Sequence, residues 1–481
     1  MPVAPDVNWL ALLPFNLSLL TAVLVTILGF YISRRATAWL GIAGLVAALI
    51  ADIAIWGRNL SSFDGAFKAD NFALGFGAVL LVAGILALLS SLDFARRSNI
   101  NRPEFYAVLL YAVTGTLLLA SAHDLIVLLI GFEIMSLGVY VLSSFQESTE
   151  SEEAGMKYFL LGSLASAILI YGIALVFGAT GTFNLERIHD AASSLGMQNG
   201  PILAVGALLM LVGFGFKVAF APFHQWTPDV YVGAPTLVTQ YMSVGIKAAA
   251  FAGFLHIFGL ALPGVTAWQV PAQFLIALTM LIGNLAALRQ TNLKRMLAYS
   301  SIAHAGYLGL SILSSPATAW PAALYYLAIY TLMNAGALIV VNALSVTEAG
   351  PEVSELEGLG AHRPVLAAAL GFLLLSLAGI PPLAGFFGKY VVFASAVQSG
   401  YYGLVVLGAL TSAASLYYYL KPIQAMYFKP ANLKIPALPD HARGPAKLAL
   451  AITVLGIMIL GTMPNLVYDA MSTVGQIVAS R

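Results

Sequence analysis

The chain predicts an all-α polytopic membrane protein of about fourteen transmembrane helices, with the seventh and twelfth broken and ten of them forming two inverted five-helix repeats. Three observations carry that prediction. Charge is scarce, apolar runs of spanning length recur from end to end, and prolines interrupt two of those runs beside lysines. Hydrophobic residues make up 60% of the 481 residues and charged residues only 9%; mean hydropathy is +0.89. A soluble globular chain carries about 25% charged residues, so lipid must cover most of this surface.

A helix needs about 20 apolar residues to cross the hydrocarbon core. Segments that meet this requirement centre near Leu20, Val46, Leu81, Leu110, Met135, Leu169, Leu211, Lys247, Leu281, Ala303, Leu332, Leu375, Leu410 and Ile457. The first, about Leu10 to Tyr31, follows MPVAPDVNWL, which holds no Lys or Arg. It lacks the basic start and small-residue cleavage site of a signal peptide, and reads as a retained helix. Short loops join most segments, and no hydrophilic stretch is large enough to fold alone. Four parts are expected: a three-helix segment over 1–102, one five-helix repeat over 103–262, an inverted one over 263–428, and a loop with the last helix over 429–481.

Lys and Arg set orientation, because cytoplasmic loops retain them. Alternate loops carry Arg34 and Arg35; Arg96, Arg97 and Arg102; Arg289, Lys294 and Arg295; Arg363; and Lys429, Lys434, Arg443 and Lys447. The opposite side has Arg58, Lys68, Arg187 and Arg481. The first set is expected to be cytoplasmic, with both termini periplasmic. The acidic loop QESTESEEAG falls on the cytoplasmic side, where acids weigh little in this rule.

Several function classes drop out. A net charge of +1 offers no basic field for nucleic acid. The chain has no cysteine, which excludes disulfides and thiolate ligation of iron–sulfur clusters within it. No G-x-G-x-x-G follows a strand and no phosphate-cradling G-x-x-x-x-G-K-[ST] loop occurs, so no dinucleotide site is expected. The seven histidines show no spacing suited to haem or zinc, and no metal is expected.

The chemistry-bearing residues lie inside the apolar runs. Lys217 sits in LVGFGFKVAFAPF, Lys247 in YMSVGIKAAAFAGF, Lys389 in PPLAGFFGKYVVFASA and Glu133 in LIVLLIGFEIMSLGVYVL. Each costs about 2.5–3.5 kcal/mol at the centre of a span. Structural ion pairs or snorkelling would explain one such residue, and Lys421 at a span end fits snorkelling. Four in one chain point to an ion path. A desolvated amine gives up its proton near neutral pH, and a carboxylate beside it holds the proton in place. Glu133 near Lys217 would therefore act as a switch. His304, about nine residues into its span, is suited to relaying protons at mid-depth. Lys157, at the start of the sixth span, is a further candidate.

Two of these lysines stand next to predicted breaks. Pro222 should end a helix just after Lys217, and Pro381 with Pro382 should interrupt one before Lys389. Interrupted backbone at membrane depth is tolerated where it is buried in protein or lines a wet cavity. The breaks are five spans apart, on the fourth helix of each five-helix unit, and Glu133 and His304 fall on the second helix of theirs. An odd number of helices per unit inverts the second unit relative to the first.

The string FKVAFAPFHQWTPDVYVGAPTLVTQYMSVGIKAAAF, with NLKRMLAYSSIAHAGY and LSLAGIPPLAGFFGKYVVF, resembles the antiporter-like membrane subunits of respiratory complex I. Within that family it is similar to the branch that includes mitochondrial subunit 2, on the strength of PDVYVGAPT, the Lys in SVGIKAAAF and a lysine, Lys389, after the second break. The resemblance covers essentially the whole chain. It implies a proton path with Glu133 paired to Lys217, Lys247 as central relay, His304 as bridge and Lys389 toward the exit; Lys157 also matches a family lysine. It implies other membrane subunits, sister antiporter-like subunits among them, as partners in a bacterial inner membrane. FMN and iron–sulfur clusters are expected in other subunits, with no cofactor in this chain. The competing readings are a subunit of a multi-component Na+/H+ antiporter and a scaffold without pumping activity; the intact lysine set argues against the scaffold.

Overall fold

The computed structural model describes residues 6–194, 200–430 and 440–479. Among the described residues, twelve helices are long and apolar enough to cross a membrane. Two further spans complete fourteen: the shorter apolar helix Leu13–Leu28, and a broken one formed by Pro364–Ala378 and Ala384–Gln398. Their positions match the predicted centres in order. Lys434 and Arg481 lie outside the described residues.

Why these helices pack so closely is legible in their small residues. Lipid supplies no hydrophobic drive between spans, so tight helix contact relies on glycine and alanine. Helices Pro103–Ser121 and Leu125–Ser143 meet at Gly115 and Gly131; a Cβ on Gly131 would lie 2.6 Å from the Leu119 amide nitrogen. Helices Gln269–Leu288 and Leu293–Leu313 repeat the arrangement at Gly283 and Gly306, with a Gly283 Cβ 2.5 Å from the Ala303 amide nitrogen. These are the first two helices of each predicted five-helix unit. The outward side of Leu125–Ser143 is a stripe of exposed Ile126, Ile130, Ile134, Leu137 and Val141, the spacing of one helix face.

Both predicted breaks are present. Helix Gly200–Val218 ends one residue after Lys217, Ala219 takes a φ of 67°, and a short helix, Trp226–Gly233, completes the span. The twelfth span stops at Ala378, turns at Gly379 with φ 86°, and restarts at Ala384, so Lys389 lies in the first turns of its second half. The Ala221–Pro222 and Pro381–Pro382 peptide bonds are cis. A third irregularity is absent from the sequence reading: the helix from Thr236 widens into π-helical turns at Met242–Ile246, immediately before Lys247, and again at His256–Ala261.

The spans connect two unlike faces. One gathers the arginine-rich loops. The other carries an antiparallel hairpin (Leu60–Ser62 with Phe67–Ala69), a short helix (Leu185–Ser194) and a closing amphipathic helix (Pro464–Ala479). Lys68 pairs with Glu186 at 2.5 Å, tying the hairpin to the short helix, and Asn71 Nδ2 at the start of the third span donates to Thr473 Oγ1 of the closing helix at 3.1 Å. The closing helix was not anticipated; its apolar stripe is too narrow to read as a span. Lys294 also differs from expectation. It is not a solvated loop charge: it is fully buried, and its Nζ donates to the carbonyls of Val232, Ala234 and Glu348.

Candidate functional site: a buried row of amines

Lys217, Lys247 and Lys389 are each at most 5% exposed, and His304 is 1% exposed. Each amine is held differently. The helix ending at Val218 delivers Lys217 into a ring of aromatic side chains, with Nζ 5.0 Å from the Tyr140 ring centroid, 5.1 Å from Tyr158 and 5.4 Å from Phe132. Cation–π attraction favours the ammonium there. Neither Lys217 Nζ nor Glu133 Oε1 has a hydrogen-bond partner, and Glu133 lies close enough to act electrostatically on Lys217. The two residues paired from sequence make no direct hydrogen bond and no close ion pair, and only a longer-range electrostatic interaction links them.

Beyond Lys217 the lining is aromatic. Tyr158 stacks on Trp226 at 4.3 Å, and Trp226 meets Tyr231 edge-on at 6.1 Å. Lys247 follows. Its Nζ donates to the Ser301 carbonyl and hydroxyl, both at 2.5 Å, and lies 5.9 Å from the Tyr330 ring. Ser301 is one turn before His304 on helix Leu293–Leu313, and the Tyr330 ring is 5.0 Å from the imidazole. His304 hydrogen-bonds through Nδ1 to the Tyr326 hydroxyl at 2.5 Å and through Nε2 to the Tyr419 hydroxyl at 3.0 Å. It is within electrostatic range of both Lys247 and Lys389. Tyr307, 5.7 Å from His304, carries the row on to Lys389, whose Nζ is 5.3 Å from the Tyr307 ring. That amine donates to the Ala378 carbonyl at 2.9 Å, a carbonyl freed by the break, and to Ser412 Oγ at 2.8 Å.

Lys157 stands apart. It pairs with Glu153 at 2.6 Å and Asp229 at 3.2 Å, and Asp229 also binds Arg295 at 3.2 Å. Its side chain is 42% exposed, a rim ion network and no member of the buried row. Pro222, Pro381 and Pro382 lie in the two breaks as predicted. Among the described residues, no group of three or more His, Asp or Glu side chains could hold a metal ion.

Sequence reasoning missed the tyrosines. Tyr140, Tyr158, Tyr307, Tyr326, Tyr330 and Tyr419 fill the space between the amines, and Ser301 and Ser412 hold two of them. In an apolar span a tyrosine reads as core, and only the fold shows which hydroxyls face an amine.

Broken helices at mid-depth with a lysine beside each define a class of ion-translocating membrane protein. Residues 122–415 match the NADH:quinone oxidoreductase/Mrp antiporter transmembrane family, to which the chain belongs. More particularly, it is 48% identical to NADH-quinone oxidoreductase subunit N of Deinococcus radiodurans, over 97% of this chain and 96% of that one. A chain of Thermus thermophilus respiratory complex I is 37% identical and superposes with a TM-score of 0.83, covering 95% of this chain and 99% of that one. A chain of the Mrp complex of a Dietzia species shares the fold at 23% identity and a TM-score of 0.81, over 96% and 97% of the two chains.

Proposed function

We propose that this chain is a proton-translocating membrane subunit of a bacterial NADH–quinone oxidoreductase, and that Glu133, Lys217, Lys247, His304 and Lys389 are its proton path. The observation that carries the reading is the unbroken succession of buried groups from Lys247 through Ser301 and Tyr330 to His304, and on through Tyr307 to Lys389. An amine in such a row holds a proton when a negative charge is near and releases it when the charge withdraws. The tyrosine and serine hydroxyls can both donate and accept, so a proton can pass between amines without either helix moving far. Lys157 serves the rim and is left outside the path.

The two units over 103–262 and 263–428 are proposed as inverted repeats, supported by the matched breaks and the matched glycine contacts. The arginine-rich face is assigned to the cytoplasm and both termini to the periplasm of a bacterial inner membrane. Partners are the other membrane subunits of the complex, sister antiporter-like chains included. FMN and iron–sulfur clusters belong to other subunits, and quinone reduction elsewhere supplies the energy. The Na+/H+ antiporter alternative shares the family match and the fold, while the relative at 48% identity over 97% of the chain favours the oxidoreductase.

The test replaces Lys217 or Lys247 with Ala in the assembled complex reconstituted in liposomes. Proton pumping per NADH should fall while NADH oxidation with an artificial acceptor persists. Unchanged pumping in both variants refutes the path.

A further inference from the structure

Loop retention explains why arginines collect on one face of the molecule, but not why they meet. Five of them line a single cavity of about 750 Å3 at the arginine-rich ends of the spans. Arg34 and Arg35 enter from the start of the second span, Arg96 and Arg97 from just beyond the third, and Arg443 from just before the last, Gly444–Thr462. Parts of the chain far apart in sequence thus deliver the same charge to one place.

The carboxylates in the cavity are Asp93 and Asp440, and both are engaged. Asp93 Oδ2 accepts from the amides of Arg443 and Ala446 at 2.9 and 3.0 Å, capping the last span. Asp440 Oδ1 accepts from the Ala442 amide at 3.0 Å, and its Oδ2 faces Lys447 Nζ at 4.0 Å. Of the five arginines, Arg97 alone pairs with an acid, Glu348 at 3.3 Å, and it also donates to the carbonyls of Asn342 and Ser345. Arg34 reaches the Gly29 carbonyl at 3.2 Å. Among the described residues, the guanidiniums of Arg35, Arg96 and Arg443 form no ion pair or hydrogen bond. His441, on the same wall, is held below the ordinary imidazole range by burial and by Arg97, and is neutral at physiological pH. Like charges gathered this way repel one another. An anion relieves that repulsion, and the planar fork of arginine matches phosphate oxygens two at a time.

The surroundings say where the anion comes from. The turn after the first span exposes Phe30 and Tyr31 at 62% and 85%, and aromatic residues so placed mark a membrane–water boundary. Phe30 also lines the cavity, which puts the arginines at the depth of lipid headgroups. Arg35 heads an exposed stripe, Trp39, Val46, Ile50 and Ile53, running down helix Arg34–Ala54 at steps of four, seven, four and three. That spacing is one helix face. A phosphate bound at Arg35 has an apolar track directly beneath it. A soluble anion would leave the track empty, whereas a phospholipid covers both parts, and basic pockets between spans on the cytoplasmic side suit its headgroup.

We infer that this cavity binds an anionic phospholipid of the arginine-rich leaflet, with the phosphate held by Arg34, Arg35, Arg96 and Arg443 and the acyl chains along Trp39, Val46, Ile50 and Ile53. The lipid adds a bridge between the N-terminal three helices and the last span to the one that Asp93 makes.

The test reconstitutes the assembled complex in phosphatidylcholine liposomes doped with a photoactivatable phosphatidylglycerol or a photoactivatable phosphatidylcholine of the same acyl chains. After irradiation, adducts on peptides of this chain are mapped by mass spectrometry. Helix Arg34–Ala54 should take the anionic probe about tenfold or more over the zwitterionic one, since each arginine near the surface favours anionic lipid by about fivefold. Arg34→Gln, Arg35→Gln and Arg96→Gln together should remove most of that preference, while the exposed stripe of Leu125–Ser143 keeps its labelling. If that variant does not assemble, Arg35→Gln decides, because its guanidinium has no bond to lose, and the preference should fall about fivefold. An unchanged preference in the variant that assembles, or equal labelling of the parent helix by both probes, overturns the site. Absence of labelling there also overturns it, by showing that another protein chain covers the helix. Inorganic phosphate, set against chloride at the same ionic strength, should leave the labelling unchanged. Phosphate that displaces the anionic probe identifies a soluble anion as the occupant and overturns the lipid.

Discussion

Lys217 and Lys247 are both buried amines, but their surroundings ask different things of them. Lys247 donates to Ser301, so its proton already points along the row. Lys217 has three aromatic faces and a nearby Glu133 carboxylate, and no hydrogen-bond acceptor. In the proposed path, Glu133 is the group that decides whether Lys217 keeps its charge. Two unit charges about 4 Å apart interact by about 4 kcal/mol at an effective dielectric of about 20, and by less at larger separation. Glu133→Gln keeps shape and hydrogen-bonding capacity and removes that interaction. The expected outcome is a complex that assembles normally and pumps several-fold less per complex, since about 1.4 kcal/mol is a tenfold effect. Glu133→Asp should be milder. The variant lacking both Glu133 and Lys217 charges should be no worse than Lys217→Ala, because residues acting as a unit do not give additive losses. Strictly additive losses in that cycle would separate Glu133 from Lys217. At Lys247, Arg should be worse than His, because a guanidinium cannot release its proton at accessible pH; pumping by the two variants measured side by side checks this.

At the scale of elements, the breaks and the glycine contacts place the amines. Gly131 and Gly283 stand where a side chain would meet backbone, at 2.6 Å and 2.5 Å, and backbone cannot swing aside as a side chain can. Gly131→Leu and Gly283→Leu should each cost about 1–3 kcal/mol or more by overpacking and lower the amount of assembled complex on native gels. Gly178→Leu, at a position with nothing within 4 Å, should assemble as the parent does. Equal losses at all three positions would detach the close helix contacts from assembly. Much of this level is legible in the sequence. A span announces itself by length and apolarity, a proline marks its break locally, and an amine in apolar surroundings is conspicuous whatever it touches. Partners are another matter. Tyr330 and Tyr419 reach His304 from helices 26 and 115 residues further along the chain, and no local pattern separates them from core tyrosines. Lys294 reads as a loop cation because it begins a span, yet the carbonyls of Val232 and Ala234 fold over it. The π-helical turn before Lys247 leaves no compositional mark.

Across the whole molecule the centre of the row, Lys247 and His304, lies at one depth of the helix bundle. Lys247 and His304 each lie eleven residues from the arginine-rich end of their helices, about 16 Å at 1.5 Å per residue, close to half the thickness of a bilayer core. A row at constant depth moves protons sideways, so net transport across the membrane requires an inlet on one face and an outlet on the other, and the direction of pumping depends on which face is which. In the orientation proposed from the asymmetry of Lys and Arg, the arginine-rich face is cytoplasmic. An even number of spans then returns the first and last described spans to the opposite side, where the closing helix Pro464–Ala479 meets the start of helix Asn71–Phe94 through Thr473 and Asn71. The acidic run at Glu150, Glu152 and Glu153 sits on the arginine-rich side and does not reverse the assignment, because acids weigh little in loop retention. Alkaline phosphatase fused after Arg481 should be active, since that enzyme folds only outside the cytoplasm, and a fusion in the loop between Phe94 and Pro103 should be inactive. The reverse pattern would place the arginine-rich face outside and overturn the proposed orientation.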